Sequence, residues 1–350
     1  GTCSTSNSRI RGHQWSTRPS KLRLHTGELI IKNMKKVLIT GGAGYIGNVL
    51  VESLLDDGFE VTVLDSLLYK QPCLIEHCYR KDFKFVYGDV RDHKLFKELI
   101  GKADVIVHLA AYVGMSACKK FPSEAIQVNY ESAKFLAENI RKDQLVIYPT
   151  TNSGYGLGVH KGGKAVFCTE ETPLKPISLY GETKADAEKV LLDTGRAISL
   201  RLATVFGFSK RMRMDLLVND FVWRAFNDRF VVLFESHFLR NFIHIRDIAK
   251  TMKFCIKNHK KMVGEVYNVG NTSINMSKMD LCKAIKKQVP DFCIMESEIN
   301  KDPDQRNYIV SNEKLEKLGW SCDYSLDDGI RELLHGFPII KNSNTTFTNQ

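Results

Sequence analysis

Short apolar runs alternate with longer stretches in which apolar positions return every third or fourth residue. The runs predict strands at 36–40, 60–64, 83–87, 104–109, 144–149 and 197–202. The longer stretches predict helices at 45–57, 92–101, 122–141 and 178–194. Continuous apolar strands between amphipathic helices imply an α/β fold with a doubly wound parallel sheet covered on both faces. Ligands of such sheets sit at the carboxyl ends of the strands. From about residue 207 the alternation breaks into shorter elements, which predicts a smaller C-terminal α/β lobe closing over the first. The expected division is a nucleotide domain over 34–206, to which 240–268 returns, and a substrate lobe over 207–239 and 269–340.

The first strand runs into Thr40-Gly41-Gly42-Ala43-Gly44-Tyr45-Ile46-Gly47, where a helix begins. Strand, glycine turn and helix together mark a Rossmann-type dinucleotide site. Gly41 permits the tight turn, Gly44 lets the backbone approach a pyrophosphate, and Gly47 lets helix and strand pack closely. Tyr45 and Ile46 open the helix, whose N-terminus offers N–H groups and a positive dipole end to phosphates. The second strand ends at Asp65, about 20 residues beyond the glycines, where a carboxylate accepts hydrogen bonds from an adenosine ribose and repels an added phosphate. No arginine follows in Ser66-Leu67-Leu68, so the expected cofactor is NAD rather than NADP. An Asp that merely opens a turn is the plain alternative at this position.

Other strand ends carry further signals. One reads Gly88-Asp89-Val90-Arg91-Asp92 and another His108-Leu109-Ala110-Ala111, whose small residues leave room for a flat cofactor. His108 reads as a packed histidine rather than a catalyst. A third reads Thr150-Thr151-Asn152-Ser153-Gly154-Tyr155-Gly156. In the helix predicted after it, capped by Ser178 and stopped by Gly195, Tyr180 and Lys184 share one face. A free tyrosine titrates near pH 10 and is a poor base at neutrality. A lysine ammonium and the positive nicotinamide ring would favour its phenolate. Tyr180 could then take a proton from a substrate hydroxyl as hydride leaves the same carbon, with Thr151 hydrogen-bonded to the same oxygen.

The chain of 350 residues is long enough for two lobes, and 43% hydrophobic with 26% charged residues is ordinary for a globular protein. No apolar run approaches the ~20 residues that span a bilayer. The nine cysteines are scattered and contain no CxxC pair, which argues against a disulfide framework or zinc site and for a reducing, cytoplasmic setting. No metal-ligand spacing occurs. Of the net charge of +10, half falls in residues 1–33, where Arg9, Arg11, Arg18, Lys21, Arg23 and Lys32 face Glu28 alone. This Ser-, Thr- and Arg-rich leader reads as a disordered extension before Met34, with a transit peptide as the alternative. The remaining charge suits a small anionic substrate and is too modest for nucleic acid.

These motifs resemble those of the extended short-chain dehydrogenase/reductases, in the nucleotide-sugar epimerase and dehydratase group. The resemblance spans about 34–335. It rests on TGGAGYIG at 40–47, Asp65, GDVRD at 88–92, HLAA at 108–111, Asn129, TTNSGYG at 150–156, YGETK at 180–184 and RNFIHIRDIA at 240–249. It implies that Asp89 and Val90 hold the adenine end, that Leu109, Ala110 and Ala111 line the cofactor, and that Asn129 supports the site. It places Thr151, Tyr180 and Lys184 at the catalytic positions, Arg240 at the substrate diphosphate, and Arg306 as a second phosphate candidate. Asn152 and Ser153 then flank the substrate. In dehydratases of this group an Asp and a Glu follow the catalytic threonine; here Asn152 and Ser153 cannot ionise, so dehydration is disfavoured. Cys118 with Lys119 is a conceivable extra acid/base pair, but Cys118 reads rather as packing or substrate contact.

Segments 201–221 and 302–320 are similar to those of bacterial enzymes that oxidise GDP-manno-heptose at its 4-position in surface-polysaccharide synthesis. The expected activity is therefore NAD-dependent oxidation of the 4-hydroxyl of a nucleotide sugar. The alternatives are a 4-epimerase that returns the hydride and, less favoured given an intact Tyr180 and Lys184, a catalytically silent NAD-binding regulator. The resemblance also implies a homodimer through the 122–141 and 178–194 helices.

Overall fold

The structure, a computed structural model, describes residues 35–299 and 305–342. The leader expected over 1–33 lies outside the described residues. Seven strands form one parallel sheet: β1 (Lys36–Thr40), β2 (Glu60–Asp65), β3 (Phe83–Tyr87), β4 (Val105–His108), β5 (Leu145–Thr151), β6 (Ala197–Leu202) and β7 (Val266–Val269). Their order is β7-β6-β5-β4-β1-β2-β3. The reversal between β1 and β4 opens the crevice in which such sheets bind ligands.

The side-chain alternation of the strands explains their unbroken apolar runs. Val37, Ile39, Val61, Val63, Val105 and Val107 join one buried cluster, whereas Leu38, Leu64, Ile106, Val146 and Tyr148 join another on the opposite face. Both faces are covered, so neither parity can be polar. Register aligns the carboxyl ends that carry the motifs: Thr40 pairs with Leu64 and His108, and Thr151 pairs with Leu202.

Helices form where their boundaries were expected. Tyr45–Asp56 follows the glycine turn, His93–Lys102 is capped by the Asp92 carboxylate, and Leu179–Leu192 is capped by Ser178. Gly195, at φ +64°, takes the left-handed conformation that ends the last of these. The helix expected at 122–141 occupies Pro122–Ile126 and Ser132–Asn139 with a π-helical turn, Gln127–Glu131, between them. A short helix missed in the sequence, Met115–Lys120, precedes it. The Ile245–Met262 helix leads into β7 at the sheet edge.

The smaller sheets draw on distant parts of the chain. Leu239–His244 pairs with both Thr204–Phe206 and Asn275–Ser277, and Phe230–Leu233 pairs with Cys293–Glu296. The Val159–Lys161/Lys164–Cys168 hairpin leaves the main sheet and pairs with Ile309–Val310. Gly156 and Gly158 at φ +59° and +70° redirect the chain there, and a Cβ on Gly158 would lie 2.8 Å from the Asn307 carbonyl.

Candidate active site

The glycine turn is sterically locked. An ideal Cβ on Gly41 would lie 2.7 Å from the Ala110 nitrogen, and one on Gly47 would lie 2.5 Å from the Gly41 oxygen. Only hydrogen fits either position. The helix that follows starts at Tyr45 with no side-chain cap and no acidic residue in its first turn, an arrangement open to an anion. A groove of about 230 Å³ runs past this turn, lined by Gly44, Ile46, Asp65, Val90, Ala110 and Lys184 among others.

Asp65 fixes the groove as well as facing it. Its two carboxylate oxygens accept from the backbone N–H groups of Ala43 (2.9 Å) and Leu67 (2.8 Å). Burial pushes its pKa above the usual carboxylate range. Each oxygen retains lone-pair capacity for a ribose hydroxyl. Asp89 also lines the groove, but in a fork with Arg91, with Nη2–Oδ2 at 2.7 Å and Nε–Oδ1 at 2.9 Å. That guanidinium holds the Asp89 carboxyl below its ordinary pKa. Leu109, Ala110 and Ala111 form the adjoining wall.

Asn129 does not line the groove and supports the site from behind it. It is 1% exposed, and its amide bonds both the N–H and the carbonyl of Tyr112 and the Thr183 hydroxyl. It therefore ties the Tyr112 loop to the helix that carries Tyr180. His108 is spent similarly, bonded to Thr40 Oγ1 at 2.8 Å and Ser132 Oγ at 2.9 Å. Burial lowers its pKa to about 3, so it stays neutral. The Cys118 thiol is buried against the Tyr112 carbonyl and pushed up to about 11, unsuited to acid/base work.

A second cavity, of about 500 Å³, lies under the smaller lobe. Thr151 and Ser153 line it, and their hydroxyls are 2.8 Å apart. Asn152 is fully buried, lines neither cavity, and hydrogen-bonds through neither side-chain polar atom. The turn after β5 carries it into the interior, which corrects its expected role as a substrate contact. Arg240, Arg306, Arg213 and Lys278 line this cavity against Asp215 and Asp220, leaving an excess of cations. Arg240 is 3% exposed, with its guanidinium 5.7 Å from the Tyr308 ring centroid.

Tyr180 lines both cavities, Lys184 only the groove, and Thr151 only the second cavity. Burial pushes the Tyr180 phenol up to about 12, and Arg213 is the strongest opposing influence. Burial also brings the Lys184 amine down to about 7. Its Nζ lies 3.9 Å from the centre of the Tyr148 ring, a cation–π contact. In the chain without the nicotinamide charge that the expectation also invokes, burial outweighs the charges near the phenol.

Sequence reasoning missed Arg211, Arg213 and Lys278. The buried Arg211 guanidinium stacks 4.0 Å from the Tyr69 ring centroid beside the groove. The Lys210-Arg211-Met212-Arg213 run was the available signal. This segment is pinned to the cofactor helix: Tyr45 Oη donates to the Gly207 carbonyl at 2.6 Å, and Ser209 Oγ donates to the Tyr45 carbonyl at 2.8 Å. Among the described residues no three His, Cys, Asp or Glu side chains gather as a metal site, and no helix is long and apolar enough to cross a membrane.

Residues 37–270 match the family described as NAD dependent epimerase/dehydratase. The chain is 28% identical to a low-salt glycan biosynthesis protein, Agl12, of Haloferax volcanii, over 84% of this chain and 96% of that one. It is 27% identical to CDP-paratose 2-epimerase of Salmonella typhi, over 85% and 98% of the two chains. In fold it is similar to UDP-glucuronic acid 4-epimerase of Bacillus cereus, with a TM-score of 0.76 and 23% identity over 87% of this chain and 99% of that one. The hydrogen-only glycine positions, the uncapped helix start and the Asp65 carboxylate fit NAD. The chain belongs to the NAD dependent epimerase/dehydratase family and is an NAD-dependent enzyme.

Proposed function

We propose that this enzyme oxidises the 4-hydroxyl of a nucleotide sugar, with GDP-manno-heptose as the first substrate to test. The observation that carries the reading is the position of Tyr180. It alone of the three expected catalytic residues faces both the NAD groove and the cation-rich cavity. Bound NAD supplies the hydride acceptor. Tyr180 takes the hydroxyl proton, Thr151 orients the same oxygen, and Lys184 holds the groove side of the site. Arg240 and Arg306 offer planar donors to a diphosphate. Neither Asn152 nor Ser153 can serve as an ionised acid or base, which favours a ketone product or an epimer over loss of water.

The test is NADH absorbance with NAD and a panel of GDP- and UDP-sugars. Sustained NADH formation with one sugar establishes net oxidation. Product inversion without NADH accumulation establishes the epimerase alternative. Tyr180→Phe should abolish turnover while NAD still binds; undiminished turnover would remove Tyr180 from the mechanism. By the same resemblance, two copies pair through the 122–139 and 179–192 helices, to be checked by sedimentation.

A further inference from the structure

The turn after β5 brings two hydroxyls together at the wall of the second cavity. Thr151 ends the strand in extended backbone (φ −148°, ψ 141°), and its Oγ1 accepts from the Ser153 N–H at 3.1 Å. The same Oγ1 lies 2.8 Å from Ser153 Oγ. This turn is held from behind: the Gly156 N–H donates to the Ser153 carbonyl at 3.1 Å, and the Lys175 N–H to the Gly154 carbonyl at 2.8 Å. Ser153 is 4% exposed, and among the described residues Thr151 is the one hydrogen-bond partner of its hydroxyl. Both residues line the second cavity, as does Tyr180.

A hydroxyl has one proton to donate and two lone pairs to accept with. One lone pair of Thr151 Oγ1 is already filled by the Ser153 N–H. If Thr151 donated to Ser153 Oγ, only a lone pair would be left to face the cavity. That lone pair would compete with Tyr180 for a substrate proton and repel the charge that grows on the substrate oxygen. We infer that Ser153 is a positioning residue whose O–H donates to Thr151. The N–H and the hydroxyl of one residue then fill both Thr151 lone pairs, so Thr151 can only donate into the cavity. A substrate hydroxyl held there accepts from Thr151 and is left with Tyr180 as the acceptor of its proton. As the proton passes to the Tyr180 oxygen, the C–H electron pair leaves as hydride to NAD and the O–H pair becomes the second carbon–oxygen bond. The Thr151 donor stays on that oxygen, where charge develops. This rests on the reading of Thr151 and Tyr180 as the catalytic pair. It gives Ser153 work through Thr151, beyond the direct substrate contact expected from the sequence.

Two measurements test this, and the first needs no substrate. Neutron diffraction of the perdeuterated, NAD-loaded protein locates the deuteron between the two hydroxyls. A deuteron on Ser153 Oγ aimed at Thr151 Oγ1 is expected; one on Thr151 Oγ1 aimed at Ser153 overturns the inference. The second is steady-state turnover of GDP-manno-heptose, or of the GDP- or UDP-sugar that the NADH assay picks out, with NAD binding as the check on folding. In Ser153→Ala the vacated Thr151 lone pair can take the substrate O–H. The kcat should therefore fall about tenfold, the size of one neutral hydrogen bond, with KM near native. Ser153→Thr keeps the hydroxyl and should restore most of the lost rate. A raised KM at native kcat overturns the inference by making Ser153 a substrate contact. An equal loss of kcat in both variants overturns it by making the effect one of packing. The base assignment fails separately, by persistent turnover in Tyr180→Phe. A sugar panel without turnover sinks the functional reading alone, and the deuteron position still decides this one.

Discussion

Replacing Arg201 with Met should cost about 3–5 kcal/mol of stability, because it strands a buried carboxylate. Glu188 lies one helical turn beyond Lys184 and is 4% exposed. Its Oε1 accepts from Arg201 Nη2 at 2.7 Å, and its Oε2 accepts from Ser199 Oγ at 2.6 Å. Arg201 Nη1 also donates to Tyr155 Oη and to the Glu170 carbonyl, both at 3.1 Å. The guanidinium thus couples the helix of Tyr180 to the turn after Thr151. Removing it leaves Glu188 with Ser199 as its one remaining partner in this network, and leaves Tyr155 with one donor fewer. Removing both charges is different: Arg201→Met with Glu188→Leu leaves no charge unpaired and should recover most of the loss. Urea unfolding of the native chain, the two single variants and the double variant gives the coupling directly. A single-variant cost below about 1 kcal/mol would refute the argument, since that is the range of a pair still solvated by water.

Gly47→Ala places a methyl 2.5 Å from the Gly41 oxygen and 2.6 Å from the Gly42 Cα. The backbone must shift at a cost of about 1–3 kcal/mol, and NAD affinity, measured by calorimetry, should fall about tenfold or more. Asn152→Leu removes two buried polar groups that lack hydrogen bonds and keeps the side-chain shape, so unfolding should show a gain of about 1 kcal/mol. Lys184→Met should stabilise the chain most below pH 7. The amine titrates at about 7 when folded against 10.5 as its ordinary value, so the unfolded chain binds the extra proton between those limits. Native stability therefore recovers as pH rises from 7 towards 10.5, and the advantage of the methionine should shrink over that window in urea titrations at several pH values.

The main sheet was legible because each of its signals is local. Continuous apolar strands, the glycine turn and the Ser178 and Gly195 boundaries act within a few residues, and register then brings Thr40, Asp65 and Thr151 to the carboxyl ends of the strands, while Tyr180 comes from the helix after Ser178. The small sheets were not legible, because Thr204–Phe206, Leu239–His244 and Asn275–Ser277 find one another only across long stretches of chain. The same distinction explains what was misjudged in the site. Motif spacing located Asn129 and Asn152 near the chemistry, but burial decided their work: one braces a loop and the other faces inward. Spacing also paired Lys184 with Tyr180, but it did not show that burial would push the phenol up to about 12 and bring the amine down to about 7. An i, i+4 pair shows which groups share a helix face. It does not show how much each loses on leaving water, and in a site closed by a second lobe that loss determines which of them stays charged.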